Sequence, residues 1–139
     1  MKAFRNALKY LFPVIIGIMV LGLMLSRVIS PGDTEGPADQ ISAYQASDYV
    51  GERAEVCGEV ASADHVTGIG GAPTFINLER AHPDQIFTIV IWEDYRRNWS
   101  TPPEELYANR NICVTGTVEL HEGVPQIEAR QPDRIDLIR

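Results

Sequence analysis

The stretch Leu11 to Leu25, LFPVIIGIMVLGLML, runs for fifteen residues without a charge or a strong hydrogen-bonding side chain. Tyr10 and Ser26 extend it to Lys9 and Arg27, whose long stems can snorkel toward headgroups, so a helix here covers roughly 27 Å at 1.5 Å per residue. The hydrocarbon core of a bilayer is about 30 Å thick. A helix packed inside a water-soluble domain would carry a polar stripe, and this run has none. We therefore expect a transmembrane helix over 10–29, preceded by a basic segment over 1–9. Pro13 falls in its first turn, where a missing N–H costs little.

A basic start followed by an apolar run also describes a secretory signal peptide, so the region after it decides. It reads Ser26-Arg27-Val28-Ile29-Ser30-Pro31: Val28 and Ser30 are tolerable for cleavage, but Pro31 would follow the cut and Arg27 intrudes. No cysteine near the end of the run offers a lipid attachment site. An uncleaved signal anchor is the expectation. Lys2, Arg5 and Lys9 precede the helix, while Arg27 alone follows it closely, ahead of Asp33, Glu35 and Asp39. This asymmetry keeps the short end in the cytoplasm and exports the long one, which makes a single-pass protein of the cytoplasmic membrane. Residues 30–43, rich in proline, glycine and acids, read as a flexible linker, with a short helical lead-in over 41–49. Residues 44–139 read as one small extracytoplasmic domain.

Charge narrows the partners. All 19 acidic residues lie beyond Gly32, against eight of the 12 basic ones, so the exported part has a formal charge of −11 and no lysine. Such a field repels phosphate backbones and anionic headgroups over a Debye length of about 8 Å.

From Val50 the chain reads as short strands between turn signals. Arg53 to Val60 alternates, with Ala54, Val56 and Val60 on one face, Glu55, Cys57 and Glu59 on the other, and Gly58 marking a bulge or bend. His65 to Pro73 is a glycine-rich mobile loop. Thr74 to Glu79 and Gln85 to Trp92 form a hairpin through Ala81-His82-Pro83-Asp84. Thr101-Pro102-Pro103-Glu104 starts a short helix to about Ala108, with Thr101 as its cap. Ile112 to Val118 is a fourth strand, and His121-Glu122-Gly123 turns into a fifth over 125–129. The expected class is all-β with one short helix: a five-stranded barrel preceded by a single transmembrane helix.

This order resembles the OB-fold. Phe75-Ile76-Asn77-Leu78 is similar to the second-strand F-[IL]-[DN]-L signature of the anticodon-binding OB domains of aminoacyl-tRNA synthetases, and Val114-Thr115-Gly116-Thr117-Val118 resembles their V-x-G-x-V fourth strand. The likeness covers Val50 to about Ile138. It implies Phe75 as a stacking platform for a base, Asn77 as its polar neighbour, and single-stranded nucleic acid as the ligand. Glu79 stands where those domains often carry a basic residue, with Arg80 displaced to the opposite face.

With Ile76 and Leu78 inward, Phe75, Asn77 and Glu79 face outward, and by the same register Thr88, Val90 and Trp92 line the outer face. Phe75 beside Trp92 would stack on bases at about 1–3 kcal/mol each; the alternative is a second small core in which the lead-in or the helix covers both rings. Arg96, Arg97 and Arg110 are candidates for phosphate or carboxylate contacts, or for surface ion pairs of little energetic consequence. The candidate ligand-binding face is thus Phe75, Asn77, Thr88, Trp92, Arg96, Arg97 and Arg110. Cys57 and Cys113 fall on strands that are antiparallel neighbours in an OB barrel, which implies a disulfide in an oxidising compartment; two separate thiols or half of a metal site are the other readings.

His65, His82 and His121 sit in loops at no metal-ligand spacing, and we expect no metal and no cofactor. The chain has no G-x-S-x-G, HExxH or phosphate-cradling loop, and neither the calcium-binding aspartates nor the paired arginines of staphylococcal-type OB nucleases, so no catalytic residues are assigned and a hydrolase ranks last. The periplasmic haem chaperone of cytochrome c maturation shares the basic start, single helix and OB barrel, but relies on a histidine after the last strand, which is absent before Arg139. The expectation is a non-enzymatic, membrane-anchored binding module, with a haem or cofactor carrier or a protein–protein adaptor as the alternatives.

Overall fold

A computed structural model describes residues 38–139. The transmembrane segment expected at 10–29, and most of the linker, lie outside the described residues, among which no helix is long and apolar enough to cross a membrane. The described chain is mostly β: β1 (Asp39–Ser42), β2 (Arg53–His65), β3 (Thr74–Leu78), β4 (Phe87–Ile91), β5 (Asn111–Thr117), β6 (Glu119–His121), β7 (Val124–Glu128) and β8 (Ile135–Ile138). Two short α-helices, Glu93–Arg96 and Pro103–Tyr107, and 3-10 segments at Ala43–Tyr49 and Pro132–Arg134 connect them.

The long strand β2 organises the sheet. Its alternation buries Ala54, Val56 and Val60 completely or nearly so, and turns Glu55, Cys57 and Glu59 outward. Its first half pairs antiparallel with β5, from Arg53↔Thr117 to Glu59↔Asn111, and its second half pairs with β3, from Val60↔Leu78 to His65↔Thr74. Between Val60 and Ser62 the register shifts, and this bulge bends the strand from one partner to the other. The irregularity expected at Gly58 therefore lies a few residues further on. A Cβ at Gly58 would come 2.6 Å from Glu79 Oε1, the carboxylate oxygen that accepts from the Glu59 N–H.

The strands run in the order β6-β7-β4-β3-β2-β5-β8, with β1 parallel to β2 at the side. The sheet is not closed by hydrogen bonds. At the seam between β5 and β7, Ile127 packs so near Gly116 that a Cβ there would meet its Cγ2 at 2.6 Å. Val56, Ile76, Leu78, Phe87, Ile89, Ile91, Ile112, Val114 and Ile127 fill the interior, capped by Ala43 and Ala46 of the first 3-10 segment and by Trp99 and Tyr107.

Eight strands replace the expected five. Within the stretch read as a flexible linker, Asp39–Ser42 is a strand with Ile41 buried. The helical lead-in expected over 41–49 is present as the 3-10 segment Ala43–Tyr49, whose Gln45 Oε1 accepts from the Ser42 N–H at 3.0 Å. One apolar residue among polar ones carries no period, so pairing to β2 decides β1. β6 is exposed along its whole length, and β8 buries only Ile135. Both are edge strands held by one neighbour's ladder. The expected helix is present at Pro103–Tyr107, but its cap position is Pro102, so Thr101 does not serve as the cap. Glu93–Arg96 is a second helix that the sequence pattern did not mark.

Candidate cleft on the outer sheet face

Period-two alternation places Phe75 and Asn77 of β3 opposite the buried Ile76 and Leu78. The pairing sets them in rows across the sheet: Ser62, Asn77, Thr88 and Gln126 in one, and Asp64, Phe75, Val90 and Glu128 in the next. Of these, Asp64, Phe75, Asn77, Thr88 and Gln126 line a cleft of about 630 Å³. Val66 and Ile69 of the glycine-rich loop wall one end. The β3–β4 turn contributes His82, Pro83 and Gln85 at the other, beside His121, Glu122 and Val124 of the β6–β7 hairpin. That hairpin turns through Glu122 (φ 49°) and Gly123 (φ 79°), the left-handed pair a two-residue connection requires.

The floor is polar but satisfied. Asn77 Nδ2 donates to Ser62 Oγ at 3.0 Å, and Thr88 Oγ1 donates to Asn77 Oδ1 at 2.9 Å. Such a fully paired network keeps its geometry without a ligand. Asn77 and Thr88 are 3% and 6% exposed, so neither stands open on the outer face as expected, and Val90 at 2% is closed off too. Gln85 Oε1 is different: it is buried and has no hydrogen-bond partner. No lysine or arginine among the described residues lines the cleft.

Of the candidate residues, Phe75, Asn77 and Thr88 line this cleft, and Trp92, Arg96, Arg97 and Arg110 do not. Trp92 Nε1 donates to Glu128 Oε2 at 3.2 Å, and its ring lies against Gly71, where a Cβ would come 2.8 Å from Cε3. The loop expected to be mobile is thereby pinned: Glu93 N–H donates to Gly71 O, and Val66 N–H to Pro73 O. The joint Phe75–Trp92 stacking surface is not formed as one open platform.

Arg96 is a structural group. Its guanidinium holds Glu104 through two bonds, Nη1 to Oε2 at 2.6 Å and Nη2 to Oε1 at 3.0 Å, reaches Thr74 Oγ1, and lies 3.6 Å from Glu93. The hydrogen bond to Glu104 raises the Arg96 pKa, and the same bond holds the Glu104 carboxyl below its ordinary range against the opposing effect of burial. Glu93 also meets His65 Nε2 at 2.7 Å. Arg97 and Arg110 are exposed, and Arg110 uses its carbonyl to accept from Val60 N–H. Nearby, burial raises the Tyr107 phenol, whose oxygen accepts from Trp99 Nε1 at 2.9 Å.

Cys57 and Cys113 face each other in the β2–β5 ladder and are joined as a disulfide. Glu55 lies beside them, but bonded sulfurs are not available as a thiolate set, so this trio is no metal site.

His82, His121 and Glu122, read from the sequence as loop or turn residues, and Gln85, read as the start of a strand, are cleft residues that the sequence reading did not assign. Their meeting follows from topology: β4 and β7 are parallel neighbours, so the turns that lead into them come to the same end of the sheet.

No protein-family model and no curated protein matches the chain. Among solved structures it is similar to a chain assigned as an aspartyl-tRNA synthetase from Leishmania major Friedlin, at 13% identity and a TM-score of 0.45, over 78% of this chain and 22% of that one. An asparaginyl-tRNA synthetase from Pyrococcus horikoshii is similar at 13% identity and a TM-score of 0.47, over 71% of this chain and 23% of that one. The chain spans less than a quarter of the length of either. Likeness at this level carries no argument about what the chain binds.

Proposed function

We propose that the chain is a non-enzymatic binding module with an OB-type barrel, held outside the cytoplasmic membrane by residues 10–29, and that it takes its ligand in the cleft over β3, β4 and β7. The observation that carries this reading is the cleft itself: about 630 Å³, within the range of small-molecule and side-chain sites, with Phe75 over a hydrogen-bonded polar floor. The disulfide supports export, since such bonds persist in oxidising compartments. Amide shifts of the full chain in uncharged detergent micelles, titrated with a library of small amphiphiles, test the site. Shifts should gather on Phe75, Asn77, Thr88 and Gln126. Shifts gathered elsewhere would refute the cleft as the site.

A second reading, single-stranded nucleic acid, is favoured by the half-buried ring of Phe75 in the cleft and opposed by a lining without lysine or arginine. Filter retention of single-stranded oligonucleotides below about 50 mM salt, where electrostatic binding is strongest, separates the two. Retention that Phe75→Ala abolishes would establish nucleic acid as a ligand; no retention removes it.

A further inference from the structure

The cleft has an acid at each end and, between them, a floor whose Asn77 and Thr88 are already hydrogen-bonded. Asp64 pairs across the ladder with Phe75, in the row that ends at Glu128, whereas Glu122 sits in the turn before Val124. Val124 and Glu128 are four residues apart on one extended strand, about 13 Å at 3.3 Å per residue. Neither Asp64 nor Glu122 takes part in an ion pair among the described residues. The Glu122 end also holds Gln85 Oε1, a buried acceptor without a donor. Leaving such an acceptor unpaired costs free energy that an incoming N–H would recover. Asp64 is paired across the ladder with Phe75, a half-buried aromatic ring of the cleft lining, and such rings attract cations to their faces.

Resting on the proposed cleft, we infer that its ligand is a linear aliphatic chain carrying ammonium groups, one near Asp64 and Phe75 and one near Glu122 and Gln85. Val66 and Ile69 at one end and Val124 at the other supply apolar contacts for methylene groups, and no lysine or arginine of the lining competes for the carboxylates; His82 and His121 share the Glu122 end. A free polyamine and lysine side chains of a polypeptide share this chemistry.

The test uses the full chain in uncharged detergent micelles with three probes: spermidine, uncharged tetraethylene glycol of similar length, and a pentapeptide with lysine at both ends. Spermidine or the pentapeptide should bind, with an affinity that falls as salt rises. Asp64→Asn or Glu122→Gln should each weaken binding about threefold and the double variant about tenfold, as for exposed charge pairs. Tighter binding of spermidine assigns the free amine as the source, and tighter binding of the pentapeptide assigns a polypeptide. Equal binding of tetraethylene glycol, unchanged binding by the double variant, or no binding of either cation overturns the inference. Val124→Trp, which fills the cleft, tells this failure from that of the underlying reading. If it abolishes binding that the acid variants leave intact, the cleft stands without its cation; if it too changes nothing, both fall.

Discussion

Arg96 shows how a residue's role depends on what the turn beside it brings near. With Glu93, Asp94, Glu104 and Glu105 as sequence neighbours it reads as one more exposed arginine, yet its side chain is only 15% exposed and is shared between Glu104 and Thr74. Hydrogen bonds to charged groups of this kind contribute about 1.5–3 kcal/mol, so Glu104→Gln should lower the unfolding free energy at pH 7 by that amount in a urea titration. The bond holds the Glu104 carboxyl below its ordinary value. Its contribution is therefore complete above the carboxyl pKa of the unfolded chain and is lost as pH falls through the lower, folded value. Wild type and Glu104→Gln should converge in stability in that acid window, and a constant gap at all pH values would refute the assignment. No pattern in the sequence marks this pair, because residues 96 and 104 meet only after the chain reverses between two short helices.

Strands with a buried face were legible and strands at the edges were not. Arg53 to Val60, Thr74 to Leu78, Phe87 to Ile91 and Asn111 to Thr117 carry alternating or continuous apolar residues and are present. β1, β6 and β8 contribute few buried side chains and exist through hydrogen bonds to a neighbour that the local sequence cannot name. At this scale the disulfide ties β2 to β5 across a sequence separation of 56. Replacing both cysteines by serine should cost about 4 kcal/mol in the chain-entropy model, seen as a lower denaturation midpoint of the β domain. The seam between β5 and β7 makes a second element-level prediction. Gly116→Ala would press a methyl into buried Ile127, and overpacking of this kind costs about 1–3 kcal/mol. Unchanged thermal stability of this variant would show that the seam can widen freely.

For the whole molecule, the proposed anchor and the disulfide make one joint prediction. Full-length chain should stay with membranes after an alkaline wash and resist thiol alkylation unless reduced; recovery in the aqueous fraction would remove the anchor. The amino-acid sequence by itself determined which segments are apolar, which strands have an inward face and how the charge is distributed, because these depend on local period and composition. The tertiary structure alone decided which turns share an end of the sheet, and hence that His82, Gln85, His121 and Glu122 surround one cleft with Phe75 while Trp92 and Arg96 are drawn into structural contacts. Those neighbours lie tens of residues apart, and only strand pairing, a property of the assembled sheet, brings them together.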